Sequence, residues 1–141
     1  MLKLPSHVQE FLKRPLAAVI AVVRPDGLPM TVATWYDWDE GGQVLVNMHA
    51  DRARLRWMRD NPKVSLTFFD DDWYRHVSLY GRVVRIEVDG DLAGIDRLAT
   101  RYTGKPFRNR SARRVNAWIE PVGWHGWDPA GHLSSPGVEA S

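Results

Sequence analysis

The stretch Gln43 to Pro62, Q-V-L-V-N-M-H-A-D-R-A-R-L-R-W-M-R-D-N-P, limits the fold most, because its periodicity changes once and abruptly. Val44 to Met48 reads as an apolar strand. His49-Ala50-Asp51 breaks it, and the chain continues as a short arginine-rich helix. Asp51 is expected to cap that helix, since its carboxylate can accept the free N–H groups of the first turn. Pro62 disfavours helical geometry at Asn61 and stops it. A strand feeding a helix N-terminus that carries Arg52 and Arg54 suits a phosphate. Unpaired N–H groups and the helix dipole face the anion, and guanidinium forks add charge-assisted bonds. At about 100° per residue, Arg52, Arg56 and Arg59 share a face, and Arg54 lies nearly opposite Arg56. Leu55 and Met58 point to the core. The spacing predicts a grip by Arg52 and Arg54. On spacing alone, a solvated basic face paired with carboxylates such as Asp60 is the simpler account.

The flanking segments punctuate themselves. Ser6 can cap a helix over His7 to Arg14, with Val8, Phe11 and Leu12 at helical spacing. Leu16 to Val23 is continuously apolar and reads as a buried strand. Arg24-Pro25-Asp26-Gly27 is a hairpin turn, in which proline sets φ and glycine supplies positive φ. Pro29 to Trp38 reads as the second strand, with Thr31, Ala33, Trp35 and Asp37 on one face and Val32, Thr34, Tyr36 and Trp38 on the other. Gln43 to Met48 is the third and Lys63 to Phe69 the fourth. The acidic triplet Asp70-Asp71-Asp72 reads as a solvated turn, because consecutive positions do not converge on one ion. A fifth strand runs from Tyr74 to Glu87 with a bend at Gly81. Asp89 or Asp91 caps a helix through Tyr102 that turns Leu92, Ile95, Leu98 and Ala99 inward. Val115 to Glu120 is a sixth strand, which Trp124 to Trp127 extends or folds against. Tight hairpins between strands, with two or three helices inserted, predict an α+β or mainly β chain with an antiparallel, barrel-like sheet.

Composition narrows the chemistry. With 141 residues and no internal repeat, residues 1–133 are expected to form one domain, followed by a flexible tail over 134–141. The absence of cysteine removes disulfides, thiolate metal sites and cysteine nucleophiles together. The N-terminus has no apolar h-region, and Leu16 to Val23 is too short to span a bilayer, so a cytoplasmic protein without membrane contact is expected. A net charge of +2 permits an anionic ligand without requiring a nucleic acid. Seven tryptophans suit core packing, ligand clefts or interfaces. The five histidines are scattered, with no H-x-x-x-H pair, and no metal site is expected. The basic loop Arg108 to Arg114 can hold an anionic tail or stay solvated.

Read in order, A-V-V-R-P-D-G-L-P, then T-W-Y-D-W-D, then a strand into an arginine helix closed by R-D-N-P-K-V-S-L, then V-S-L-Y-G-R-V-V-R-I, resembles the pyridoxamine 5′-phosphate oxidase-like split β-barrels. Y-T-G-K-P-F (Tyr102 to Phe107) and W-I-E-P-V-G-W-H-G-W (Trp118 to Trp127) are similar to the branch of flavin/deazaflavin oxidoreductases, many of which use coenzyme F420. The resemblance covers Leu12 to Asp128 and lies in the order of many weak motifs. It implies a homodimer of six-stranded antiparallel split barrels with peripheral helices and a coenzyme in each groove at the subunit interface. Arg54 takes the usual lysine position against the coenzyme phosphate, with Arg52 as a second donor. Thr31, Val32, Ala33 and Thr34, with Val46, Asn47 and Met48, would run beside the ring. Tyr74, His76 and Val77 would line the groove. Tyr102, Lys105, Phe107, Arg108 and the Trp118 strand would come from the second subunit. Two positions depart from the pattern: Ala21 replaces a small polar residue, and Ala53 a basic one. No pyridoxal-phosphate substrate motif is present, so pyridoxamine phosphate oxidation is not expected.

A flavin or deazaflavin carries hydride chemistry itself, which accounts for the lack of a nucleophile–base constellation. His76 is the leading candidate proton donor, with Tyr74 and Tyr36 as further candidates. Three functions compete. The first is a reductase moving hydride from reduced F420 to an electron-poor small molecule. The second is an FMN- or heme-binding protein of the same fold, in flavin reduction, storage or sensing. The third is a nucleic-acid-binding barrel using residues 108–114 and exposed aromatics. Arginine content favours F420, whose phosphodiester and polyglutamate tail carry more negative charge than FMN. Arg52, Arg54, Arg56 and the 108–114 loop would meet that charge.

Overall fold

The apolar run after Pro15 forms β1 (Ala17–Val23), and the turn at Asp26-Gly27 returns it as β2 (Pro29–Thr34). Gly27 has φ +88°, and its N–H donates to the Arg24 carbonyl at 2.8 Å, which closes the hairpin. The computed structural model describes residues 2–134. Around the hairpin lie α1 (Ser6–Leu12), β3 (Asp37–Asp39), β4 (Gln43–His49), α2 (Ala53–Asp60), β5 (Lys63–Phe69), β6 (His76–Val88), α3 (Ala93–Thr103) and β7 (Arg114–Trp127). Every neighbouring strand pair is antiparallel, and the order is β2-β1-β5-β6-β7-β4-β3. No helix among the described residues is long and apolar enough to cross a membrane.

The sheet has seven strands rather than six, and it does not close, since β2 and β3 end it without pairing to each other. The extra strand arises where one strand was expected over Pro29 to Trp38. Tyr36 turns fully into the core, and its hydroxyl lies 2.9 Å from the Leu12 carbonyl and 2.7 Å from that of Arg14. The Tyr36 carbonyl in turn accepts from Arg101 Nε at 2.9 Å. These bonds take residues 35 and 36 off the ladder, and Asp37–Asp39 restarts as β3 against β4.

Alternation along the central strands builds the interior. Ile20 of β1, Leu66 of β5, Leu79 of β6, Ile119 of β7 and Val46 of β4 all belong to one buried cluster, so the sheet curls around it. Leu55 and Met58 of α2 seal that cluster from the side. Leu45 and Asn47 alternate to the other face of β4, toward α3. As expected from Gly81, β6 shifts register at Tyr80/Gly81; a Cβ at Gly81 would sit 2.5 Å from Ile119 Cγ2. β7 runs unbroken through Trp127, so Trp124 to Trp127 extends the sixth strand of the sequence reading.

Both expected caps of α3 are used. Asp89 accepts the N–H groups of Gly94 at 2.9 Å and Ile95 at 2.8 Å, and Asp91 accepts that of Ala93 at 3.0 Å. Leu92, with φ +61°, forms the tight corner that brings Asp89 beneath the helix. The C-terminal segment is better anchored than its small polar composition suggests. Leu133 is buried, and its N–H donates to Asp128 at 3.0 Å. The tail expected over 134–141 falls, beyond residue 134, outside the described residues.

Candidate functional site

Where β4 hands over to α2, a cavity of about 580 Å³ opens between the start of that helix, the ends of β1 and β2, and α3. Its volume lies in the range of small-molecule sites, about 300–1,000 Å³. Arg54 and Arg114 both line it, as do Asn47, Trp35, Tyr102 and Phe107. Trp35 and Tyr102 stack with centroids 5.5 Å apart and planes within 10°, and form an aromatic wall. The Tyr102 hydroxyl donates to the Leu16 carbonyl at 2.6 Å, which locks the wall to β1. Arg114 lies over the Phe107 ring at 5.0 Å.

The electrostatics of the cavity are one-sided. Neither Arg54 nor Arg114 has a carboxylate within 4.0 Å among the described residues. Burial, then the charges of Arg52 and Arg114, holds the Arg54 pKa below its ordinary value. Burial, then Arg52, lowers that of Arg114, and the Asp89 carboxylate partly opposes this. Two half-buried guanidiniums with no carboxylate within 4.0 Å among the described residues are suited to an anion. A smaller hollow of about 360 Å³ at the C-terminal end of β1 has Lys63 and Arg82 among its lining residues but no comparable aromatic wall.

The sequence-predicted residues divide sharply. Arg54, Ala33, Thr34 and Asn47 line the cavity. Arg52 is the exposed N-cap residue of α2, close enough to bear on both cavity arginines. Arg56 is exposed and does not line it, as the helical angle foretold. Thr31 and Val32 are exposed on β2 beyond its rim. Val46 and Met48 are corrected: strand alternation turns both into the core, which leaves Asn47 alone on the cavity side. Asp51 does not cap α2; its carboxylate pairs with Arg113 at 3.0 Å. In the basic loop, Arg110 is likewise tied to Asp96 at 2.6 Å, while Arg108 and Lys105 are exposed outside the cavity. Tyr102 and Phe107 face the cavity of their own chain, although the resemblance placed them on the second subunit.

The proton-donor candidates lie elsewhere. Tyr36 is excluded by its role in the core, where burial drives its pKa upward and its hydroxyl is held by backbone carbonyls. Val77 is fully buried in the core and does not line this cavity. Tyr74 is exposed and stacks on Trp73 at 4.1 Å. His76 lies 5.9 Å from His125, whose Nδ1 is 2.7 Å from the Tyr80 hydroxyl. Nδ1 of His76 is 2.7 Å from the Tyr74 carbonyl. A carbonyl only accepts, so Nδ1 carries a hydrogen in that contact. Trp35 and the wall role of Tyr102 were not legible as cavity features, and Arg114 was read only as the end of the basic loop 108–114, which could hold an anionic tail or stay solvated. Arg114 reaches Asn47 only through the β4–β7 register, which joins positions far apart in the chain.

The curled antiparallel sheet carries an arginine-lined, aromatic-walled cavity at a strand–helix junction, a combination of charge and flat apolar surface. The chain belongs to the pyridoxamine 5′-phosphate oxidase family, whose model matches residues 4–128. Its seven-stranded, unclosed sheet is a form of that family's split barrel. Among solved structures the chain is similar to an F420 reductase, with 31% identity and TM-score 0.77 over 86% of this chain and 98% of that one. It is also similar to a conserved hypothetical protein from Mycobacterium tuberculosis, with 24% identity and TM-score 0.71 over 97% and 94% of the two chains. A pyridoxamine 5′-phosphate oxidase-related, FMN-binding protein from Nostoc punctiforme shares the fold at 13% identity, with TM-score 0.62 over 90% and 81%. No curated protein matches the chain.

Proposed function

We propose that this protein is an oxidoreductase that uses the reduced deazaflavin coenzyme F420 to transfer a hydride to an electron-poor small organic molecule. The observation that carries the reading is Arg54, a half-buried cation without a counter-ion, at the head of α2 in a cavity walled by Trp35 and Tyr102. The donor set fits a phosphate-bearing ring coenzyme: guanidinium for the phosphoryl oxygens, stacked aromatics beside the planar part. When bound, such a coenzyme supplies the hydride chemistry itself. Arg54 anchors it, Arg52 adds charge at the mouth, and Trp35 and Tyr102 keep water from one side of the ring. The likeness to an F420 reductase at 31% identity supports the choice of coenzyme. So do the exposed cations Arg52, whose charge bears on both cavity arginines, and Lys105 and Arg108, which flank the cavity-lining Phe107; a polyglutamate tail would lie along them. FMN is the second reading, because paired guanidiniums also match a dianionic phosphomonoester.

The working form in this proposal is a homodimer. β2 is an edge strand exposed along its length, with Met30 and Val32 uncovered and no charged residue between Pro29 and Thr34. Unprotected apolar edges invite pairing. His76 lies outside the cavity of its own chain, so a proton passed from it to a reduced product would cross the subunit boundary. Side-by-side titration with F420 and FMN, followed by fluorescence, tests the assignment. Preferential F420 binding with dimeric sedimentation is expected. Binding of neither coenzyme would overturn the reading.

A further inference from the structure

We propose that Arg114 is the second guanidinium of the phosphoryl site, and that Asn47 holds it there as a positioning residue rather than touching the ligand. The inference deepens the coenzyme reading above and rests on it for the identity of the ligand, but not for the existence of the anion site.

The geometry around Asn47 leaves little freedom. Its carboxamide nitrogen donates to Asp89 Oδ2 at 3.1 Å and to Asn116 Oδ1 at 2.7 Å, which uses both hydrogens. Its oxygen accepts from Arg114 Nε at 2.9 Å. The partners fix the amide orientation, because a carboxylate must receive a donor and a guanidinium an acceptor. Asn47 is 7% exposed and Asp89 is 4% exposed. Asp89 is itself held by the N–H groups of Gly94 and Ile95 at the start of α3. A chain of bonds therefore runs from the α3 backbone through Asp89 and Asn47 to Arg114.

What this leaves free is the outer fork of Arg114. Only its Nε is bonded; the two Nη groups have no partner among the described residues. Phe107 supports the guanidinium plane at 5.0 Å. Arg54 lines the same cavity from α2 and makes no side-chain hydrogen bond among the described residues. Two forks from separate elements, one of them braced, converge on one space. That arrangement suits a phosphoryl group with two anionic or partly anionic oxygens. A terminal phosphomonoester and a phosphodiester share that chemistry, and the experiment separates them.

The test compares ligands with and without the phosphoryl group, the deazaflavin core of F420 lacking its anionic tail as well. Dissociation constants for FMN and riboflavin, and for F420 and its dephosphorylated deazaflavin core, are measured on wild type, Arg114→Gln, Arg114→Lys and Asn47→Leu. Arg114→Gln should weaken the phosphate-bearing member of the bound pair at least tenfold and leave the dephosphorylated one unchanged. Arg114→Lys should recover part of the loss. Asn47→Leu should produce the same ligand-selective loss, at least threefold, because the fork is no longer aimed. Whichever pair shows the effect names the source of the phosphoryl group. Equal weakening of both members of a pair would overturn the proposal, since a merely structural role makes no distinction between them. The Arg114 Nε–H resonance of the wild type, followed during addition of millimolar inorganic phosphate, gives a readout that needs no coenzyme and no variant. A shift in that signal with neither coenzyme bound would sink the coenzyme reading and uphold the anion site. No shift with inorganic phosphate, together with no preference for the phosphorylated ligands, would overturn the site itself.

Discussion

Replacing Arg54 by methionine separates binding from stability with unusual clarity. The substitution keeps the apolar stem and removes the charge. In the ligand-free protein that charge is unfavourable, because burial and the neighbouring Arg52 and Arg114 all act against it. No carboxylate lies within 4.0 Å to repay the cost among the described residues. Removing it should leave stability unchanged or raise it, with gains of this kind amounting to about 0.5–1 kcal/mol. For a chain of this size that corresponds to a Tm higher by about 2–4 °C. A charge-assisted hydrogen bond to a phosphoryl oxygen contributes about 1.5–3 kcal/mol. Its loss weakens coenzyme binding by about 10- to 150-fold. Scanning calorimetry on coenzyme-stripped protein and a fluorescence titration at two salt concentrations read the two quantities independently. Coenzyme affinity within twofold of wild type would refute the role of Arg54. So would a Tm several degrees lower, which would make Arg54 a structural residue.

Other perturbations test the framework around the site. Arg101 donates to the carbonyls of Leu12, Lys13, Arg14 and Tyr36 and pairs with Asp37 at 3.1 Å. Arg101→Met should therefore cost about 3 kcal/mol or more, read from urea midpoints. Burial, and then the charge of His76, holds the His125 pKa below its ordinary value of 6.5. The unfolded chain then takes up that proton first, so stability falls as pH drops below 6.5. Denaturation at pH 7.5 and 5.5 should show the loss, and His125→Asn should reduce it. A Cβ on Gly126 would lie 2.5 Å from the backbone oxygen of Leu133 and 3.2 Å from that of His76. Gly126→Ala should cost about 1–3 kcal/mol in thermal unfolding. A Cβ on Gly94 meets only the Asn116 side chain, at 2.0 Å from Oδ1. Gly94→Ala gains about 1 kcal/mol of helix propensity and loses one hydrogen bond of similar worth. Its Tm should stay near wild type while coenzyme affinity falls, because Asn116 is pushed off Asn47.

The legible parts of this chain were those governed by neighbours in sequence. Asn61-Pro62 ended α2 where expected, and the R-P-D-G turn closed the first hairpin. The acidic residues 89 and 91 capped α3 through bonds only a few residues long. Misreadings arose where distant partners overrode a local pattern. Pro29 to Trp38 alternates like one strand, yet the pull of Leu12, Arg14 and Arg101 on Tyr36 divides it. Asp51 has the chemistry of an N-cap, yet Arg113 takes its carboxylate.

By itself, then, the amino-acid order determined a mainly β chain, the strand–helix junction at residues 43–62, and Arg54 as the residue to watch. Periodicity, turn chemistry and capping act over a few residues and can be read directly. Only the tertiary structure decided that Val46 and Met48 face the core while Asn47 faces the cavity, and that Trp35, Tyr102 and Arg114 complete the same cavity. Those outcomes depend on the register between β4 and β7 and on the packing of α3. Register is settled by burying one face of each strand against partners dozens of residues away, information that no local window contains.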